Sequence, residues 1–141
     1  MKIKFKKLSP SAVMPRKAHA SDAGFDLTCT RFEVKNGQLF TYHTDIAVEI
    51  PDGHVGLLFP RSSVFKQDLF LTNSVGVVDS GYRGEVMFKF KHIASEVKKN
   101  YQVGDRIGQL IIIPYPDVEF VEAEELSDSE RGAGGYGSSG R

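Results

Sequence analysis

The sequence predicts an all-β fold: a jelly-roll-like β-barrel or sandwich with at most one short helix and a flexible C-terminal arm. Three observations predict it. Apolar residues fall in short runs with period-two alternation, the mark of half-buried strands. Turn-forming residues break those runs repeatedly, as in "KNG" (35–37), "PDG" (51–53), "DSGYRG" (79–84) and "VGD" (103–105). The 141 residues, 40% hydrophobic and 26% charged, have the balance of one globular domain large enough to bury a core.

Taken in order, "KIKFKKL" alternates lysine with Ile3 and Phe5 and reads as a solvated strand face. "QLFTYHTDIAVEIP" and "HVGLLFP" are strands closed by proline. "SVFKQDLFL" (63–71) gives the short helix, with Val64, Leu69 and their neighbours forming one apolar face. "EVMFKFKH" puts Val86, Phe88 and Phe90 on one side and Met87, Lys89 and Lys91 on the other. "RIGQLIIIP" predicts a strand buried on both faces. "DVEFVEAEEL" alternates through Val118 and Phe120 and predicts a last strand. There is no internal repeat. Composition shifts near Ser127, which divides the chain into a β-domain (1–127) and a glycine-rich arm (128–141) expected to move freely until a ligand binds.

Charge and composition exclude several functions. Eighteen basic residues balance eighteen acidic ones, against a broad nucleic-acid surface. The lone Cys29 rules out an internal disulfide and fits a reducing compartment. The longest apolar run, "LIII" (110–113), is too short to span a bilayer, and no signal-peptide stretch precedes it. A soluble, cytoplasmic or otherwise intracellular protein is expected. Gly76 and Gly81 have the glycine spacing of a phosphate loop, but Tyr82 and Arg83 stand where it needs lysine and a hydroxyl. His19, His43, His54, His92 and Cys29 are scattered, without the zinc-deaminase pattern, and there is no nucleophile elbow.

Five polar clusters remain. In "SDAGFDL" (21–27) the aspartates either face water in a turn or offer a carboxylate to a hard cation such as Mg²⁺ through water. In "PRSS" (60–63), Arg61 can clamp a phosphate, while Ser62 or Ser63 can instead cap a helix; both roles can coexist. "NSVGVVDSGYRGEV" (73–86) leads an apolar strand into a turn and a second strand. That pattern predicts a hairpin with Gly81 at its unusual backbone angle, Asp79 at the strand end and Tyr82 near the tip. In "GDRIGQL" (104–110), Gln109 is a lone amide in an apolar strand. The fifth cluster is the tail, "RGAGGYGSSGR" (131–141), with arginines, a tyrosine and hydroxyls spaced by glycine.

Together, "AHASDAGFDL", "PRSS", "GVVDSGYRGEV", "GDRIGQLIIIP" and "RGAGGYGSSG" resemble, in order and over residues 18–140, the five motifs of the trimeric dUTP nucleotidohydrolases. The resemblance implies a homotrimer that hydrolyses dUTP to dUMP and pyrophosphate with Mg²⁺, at active sites shared between subunits. It implies that Asp26 orients the metal through water, and that Arg61, Ser62 and Ser63 surround the phosphates. Asn73, Gly76, Val77 and Val78 would receive the nucleoside, Tyr82 would pack on the deoxyribose, and Met87 would lie beneath. Asp79 would activate the attacking water, and Gln109 would contact the α-phosphate region. In the tail, Arg131 would hold the γ-phosphate, Tyr136 would cover the uracil, and Gly137, Ser138 and Ser139 would contact phosphates. The family usually has Phe at Tyr136 and often Thr at Ser139; both replacements keep the aromatic face and the hydroxyl. A dCTP deaminase of the same fold and a nucleotide-responsive regulatory protein are the alternatives; the "VVDSGYRG" segment and the glycine-rich arm favour the hydrolase.

Overall fold

The computed structural model describes residues 1–93 and 99–135. Nine strands follow in order: β1 (Lys4–Lys7), β2 (Phe25–Thr28), β3 (Arg31–Lys35), β4 (Leu39–Glu49), β5 (His54–Phe59), β6 (Leu69–Leu71), β7 (Gly76–Val78), β8 (Glu85–His92) and β9 (Arg106–Pro114). They form two antiparallel sheets. One runs β1-β4-β8-β6, with β3 also paired to β4; the other runs β2-β9-β5-β7. No described helix is long and apolar enough to cross a membrane.

The core lies between the sheets and follows the alternation in the sequence. Val86, Phe88 and Phe90 are buried on one face of β8, while Lys89 and Lys91 stay exposed on the other. From the second sheet, Leu27, Leu58, Ile107 and Leu110 meet them. The long β4 is buried on both faces over most of its length, and β3 along its first half and β1 along its second pair with its edge. The predicted turns at Gly37, Gly53 and Gly104 take φ of 66°, 72° and 93°, the region where glycine has no Cβ penalty.

Four expectations are corrected. The helix expected over 63–71 is a 3-10 helix at Ser62–Gln67, ended by Asp68 in the left-handed region. Leu69 and Leu71, two apart, bury the same face of β6 and pair with β8, so period two overrides the helical reading. The 79–84 segment is not a hairpin: β7 pairs with β5 and β8 with β4 and β6, so the segment crosses between sheets. Gly81 accordingly has no positive φ. The outer face of β9 is only half covered, with Ile113 39% exposed. No strand forms past Pro114 among the described residues, and Phe120 is 98% exposed. Alternation makes a strand only where a sheet edge is there to pair with it.

Candidate active site

The residues expected around a nucleoside gather in one groove. Asn73, Gly76, Val77, Val78, Tyr82 and Met87 line a cavity of about 320 Å³ between the two sheets. Its floor follows from the strands. Leu71 ends β6, and the amide of Ser74 donates to the Leu71 carbonyl at 3.0 Å, turning the chain sharply into β7. There Gly76 and Val78 are buried while Val77 is 64% exposed. β7 is also the last strand of its sheet, so one edge of its backbone has no ladder partner among the described residues.

Asp79 follows β7 directly and is exposed. Its carbonyl accepts a hydrogen bond from the Tyr82 amide at 3.1 Å, so the two residues close one turn at the groove. The Tyr82 hydroxyl donates to the Glu85 carbonyl at 3.0 Å.

Charged and amide groups form a second cluster. Asp26, Arg61, Ser62 and Gln109 line a cavity of about 310 Å³. Arg61 donates from Nε to Oδ1 of Asp26 at 3.1 Å, and Arg106 from Nη1 to Oδ2 at 2.9 Å. Sequence reasoning missed Arg106, although it stands inside "GDRIGQL"; it became visible only when β2 and β9 were seen to pair. The same pairing sets Gln109 opposite Asp26, with Phe59 of β5 on its other side. The Gln109 amide nitrogen donates to the Pro60 carbonyl at 3.2 Å. A Cβ at Gly24 would collide with the Gln109 amide oxygen, which is why a residue without one stands there.

Neither Ser62 nor Ser63 caps the 3-10 helix: Arg61 occupies the cap position, with no side-chain cap bond. Ser62 lines the charged cavity; Ser63 does not. Arg131 is exposed and donates from Nε to the Gly134 carbonyl at 2.9 Å, within its own turn. Tyr136, Gly137, Ser138 and Ser139 lie outside the described residues. A single chain therefore presents two separate cavities, one between the sheets and one that gathers charged and amide groups.

Asp26 fits one metal role and not another. Among the described residues, no group of three or more His, Cys, Asp or Glu could cage a metal. Mg²⁺, however, keeps several waters and takes one or two carboxylates plus substrate phosphates. A single carboxylate, 16% exposed at the rim of an open cavity, suits that arrangement. Cys29 offers nothing to the site: burial, then the negative charge of Asp105, pushes its thiol up to about 11.

The family model of dUTPase matches residues 11–140. The Thermobifida fusca (strain YX) deoxyuridine 5'-triphosphate nucleotidohydrolase is 39% identical, over 99% of this chain and 79% of that protein. A point mutant of the Staphylococcus bacteriophage 80alpha dUTPase with dUpNHpp superposes with a TM-score of 0.86 at 32% identity, covering 99% of each chain. A point mutant of the dUTPase from phage phi11 of S. aureus, described with a coordinated structural Mg(II) ion, superposes with a TM-score of 0.75 at 29% identity, over 89% of this chain and 99% of that one. With the family match covering nearly the whole sequence, this chain belongs to the dUTPase family.

Proposed function

We propose that the chain hydrolyses dUTP to dUMP and pyrophosphate, with Asp79 activating the water that attacks the α-phosphorus. The product would supply thymidylate synthesis, and removal of dUTP would keep uracil out of DNA. The observation that carries the reading is the groove that gathers Asn73, Gly76, Val77, Val78, Tyr82 and Met87, with Asp79 between two of its lining residues.

Each role has a physical basis. Water is a poor nucleophile near neutral pH, and an exposed carboxylate beside the groove can take its proton, an effect worth roughly 10²–10⁴-fold. The attack also builds charge on the leaving pyrophosphate. Arg61, Ser62 and Gln109 supply donors for that charge, with Ser63 next in the chain. Bound Mg²⁺, oriented by Asp26, would neutralise part of the triphosphate charge. Arg131 and the tail residues Tyr136, Gly137, Ser138 and Ser139 would close over the nucleotide once it binds, making 128–141 a lid rather than part of the β-domain.

Base selection falls to the free backbone edge of β7. Uracil offers O4, N3–H and O2 to such an edge. Cytosine reverses two of those groups and would leave buried backbone atoms unpaired, at about 1–3 kcal/mol each. Tyr82 against the sugar leaves no room for a 2′-hydroxyl. The separation of the groove from the charged cluster supports a site completed by neighbouring copies in a homotrimer. The exposed Val118 and Phe120 support the same assembly, since a second copy can cover them. The balanced charge and the buried thiol support an intracellular location.

The test is an assay of the purified protein with Mg²⁺ and either dUTP or dCTP that follows pyrophosphate and ammonia together. Pyrophosphate and dUMP without ammonia are expected. Ammonia release from dCTP, or no turnover of dUTP, would overturn the reading.

A further inference from the structure

Behind the groove, where β4 meets β8, lies a buried polar cluster whose members, Glu85 apart, stand outside the five motifs, and whose side chains the reaction does not use. The β4–β8 ladder pairs His43 with Met87 and then Ala47 with Glu85, so three β4 residues stand opposite Val86 alone. This is a β-bulge in β4 with two extra residues. Asp45, at its centre, has φ of 51°, an uncommon conformation that Asp tolerates better than most residues. Thr44 stitches the bulge to β8 by donating from its hydroxyl to the Val86 carbonyl at 2.6 Å.

The bulge and its neighbours grip one side chain from three directions. Glu85 Oε1 accepts the Asp45 backbone N–H at 2.9 Å. Glu85 Oε2 lies 2.9 Å from His43 Nδ1 and 3.4 Å from an Arg31 Nη2. His43 is itself held at its far nitrogen, with Nε2 3.2 Å from Glu33 Oε1. The Glu85 and His43 side chains are only 15% and 8% exposed, so the contacts are poorly screened by water.

The other end of Glu85 faces the site, where its carbonyl accepts the Tyr82 hydroxyl at 3.0 Å. The Tyr82 ring lies folded over Gly84, whose missing Cβ leaves the space: a methyl there would strike the ring and its hydroxyl. Glu85 is also the first residue of β8, where a strand end frays unless something anchors it.

We propose that Glu85 is a positioning residue for Tyr82, and that the His43–Arg31–Asp45 cluster at the bulge, by fixing the Glu85 carboxylate, sets how tightly the enzyme discriminates deoxyribose from ribose. The chain of contact is short. The bulge holds the carboxylate, the carboxylate holds the start of β8, and the Glu85 carbonyl there fixes the ring that meets the sugar. The inference rests on the reading of Tyr82 as the sugar-packing residue. Loosening Glu85 keeps the ring but lets it swing aside, and a 2′-hydroxyl then fits.

The experiment compares kcat/KM for dUTP and UTP, with Mg²⁺, in the full chain and its variants. Glu85→Ala is expected to raise the UTP-to-dUTP ratio about tenfold, with the KM for dUTP changing more than kcat. Tyr82→Phe, which removes only the bonded hydroxyl, is expected to raise the ratio similarly. The double variant is expected to be no worse than the worse single, because both break one linkage. Ile50→Val, a core change outside the bulge, is expected to lower Tm and leave the ratio unchanged, separating positioning from lost stability. If Glu85→Ala does not fold, His43→Ala takes its place, with a smaller rise in the same direction. An unchanged ratio in the folded variant, or additive effects in the double, overturns the inference while dUTP hydrolysis by the parent protein stands. A parent protein that does not hydrolyse dUTP overturns both.

Discussion

Arg61 and Asp26 meet at 3.1 Å, Nε to Oδ1, in the cavity where the end of β5 and β2 flank β9. The guanidinium is thus pre-aimed by a carboxylate, and its side chain, 27% exposed, keeps other donors for a ligand. Arg61→Ala should lower kcat/KM for dUTP by roughly 10–100-fold, the size of one lost charge-assisted hydrogen bond. Arg106→Ala should cost less, since Arg106 reaches the site only through Asp26. Steady-state kinetics on both variants would check the order; equal losses would make Arg106 a direct phosphate ligand.

Asp79→Asn should keep the groove and its turn, because the Tyr82 amide bonds the Asp79 backbone carbonyl and not its side chain. Binding of a non-hydrolysable dUTP analogue should stay within a few-fold, while kcat falls roughly 10²–10⁴-fold. Near-normal kcat would remove Asp79 from the chemistry.

Tyr82→Ala removes the ring altogether. UTP hydrolysis relative to dUTP should rise well beyond the change expected for Tyr82→Phe. Competition assays with both nucleotides measure it, and an unchanged ratio would refute the sugar-packing role.

Deleting residues 131–141 should cripple turnover and leave Tm unaltered. The hydrogen bonds of the described part of that segment lie within its own turns, such as Arg131 to Gly134. Calorimetry beside a dUTP assay separates the two effects; full activity in the truncated protein would make the arm dispensable.

Stability should depend on Asp45 in acid. The Ser9 hydroxyl, bonded to Oδ2 at 2.7 Å, is the main reason its carboxyl lies below the usual carboxylate range, with the Arg31 guanidinium assisting and burial opposing. A depressed value means the ionised form is favoured by folding. That contribution is complete above the unfolded value of about 4 and is lost as pH falls through the lower folded value. Asp45→Asn keeps a residue that tolerates positive φ but removes the charge. In urea titrations the gap between parent and variant should be constant above about pH 5 and shrink below about pH 4. A gap that does not change with pH would show that the Asp45 charge does not contribute.

Much of this was legible in one dimension. Alternation in "EVMFKFKH" fixed which face of β8 is buried, because a strand's side chains point to opposite sides whatever its partners. The glycines of "KNG", "PDG" and "VGD" marked turns for an equally local reason. The ordered motifs identified the family and nominated the groove residues before any of them could be seen to touch.

Partners were decided only by the tertiary structure. The 69–71 stretch became a strand because β8 offered an edge, and 79–84 became a crossing because its flanking strands joined different sheets. Arg106 joined Asp26, and Glu85 joined His43, across 80 and 42 residues of chain. The sequence by itself determines what each segment prefers, since propensity and alternation are properties of neighbours in the chain. Which distant groups meet depends on sheet order and register, set by the competition of all strands for one core, and that competition leaves no mark in any single motif.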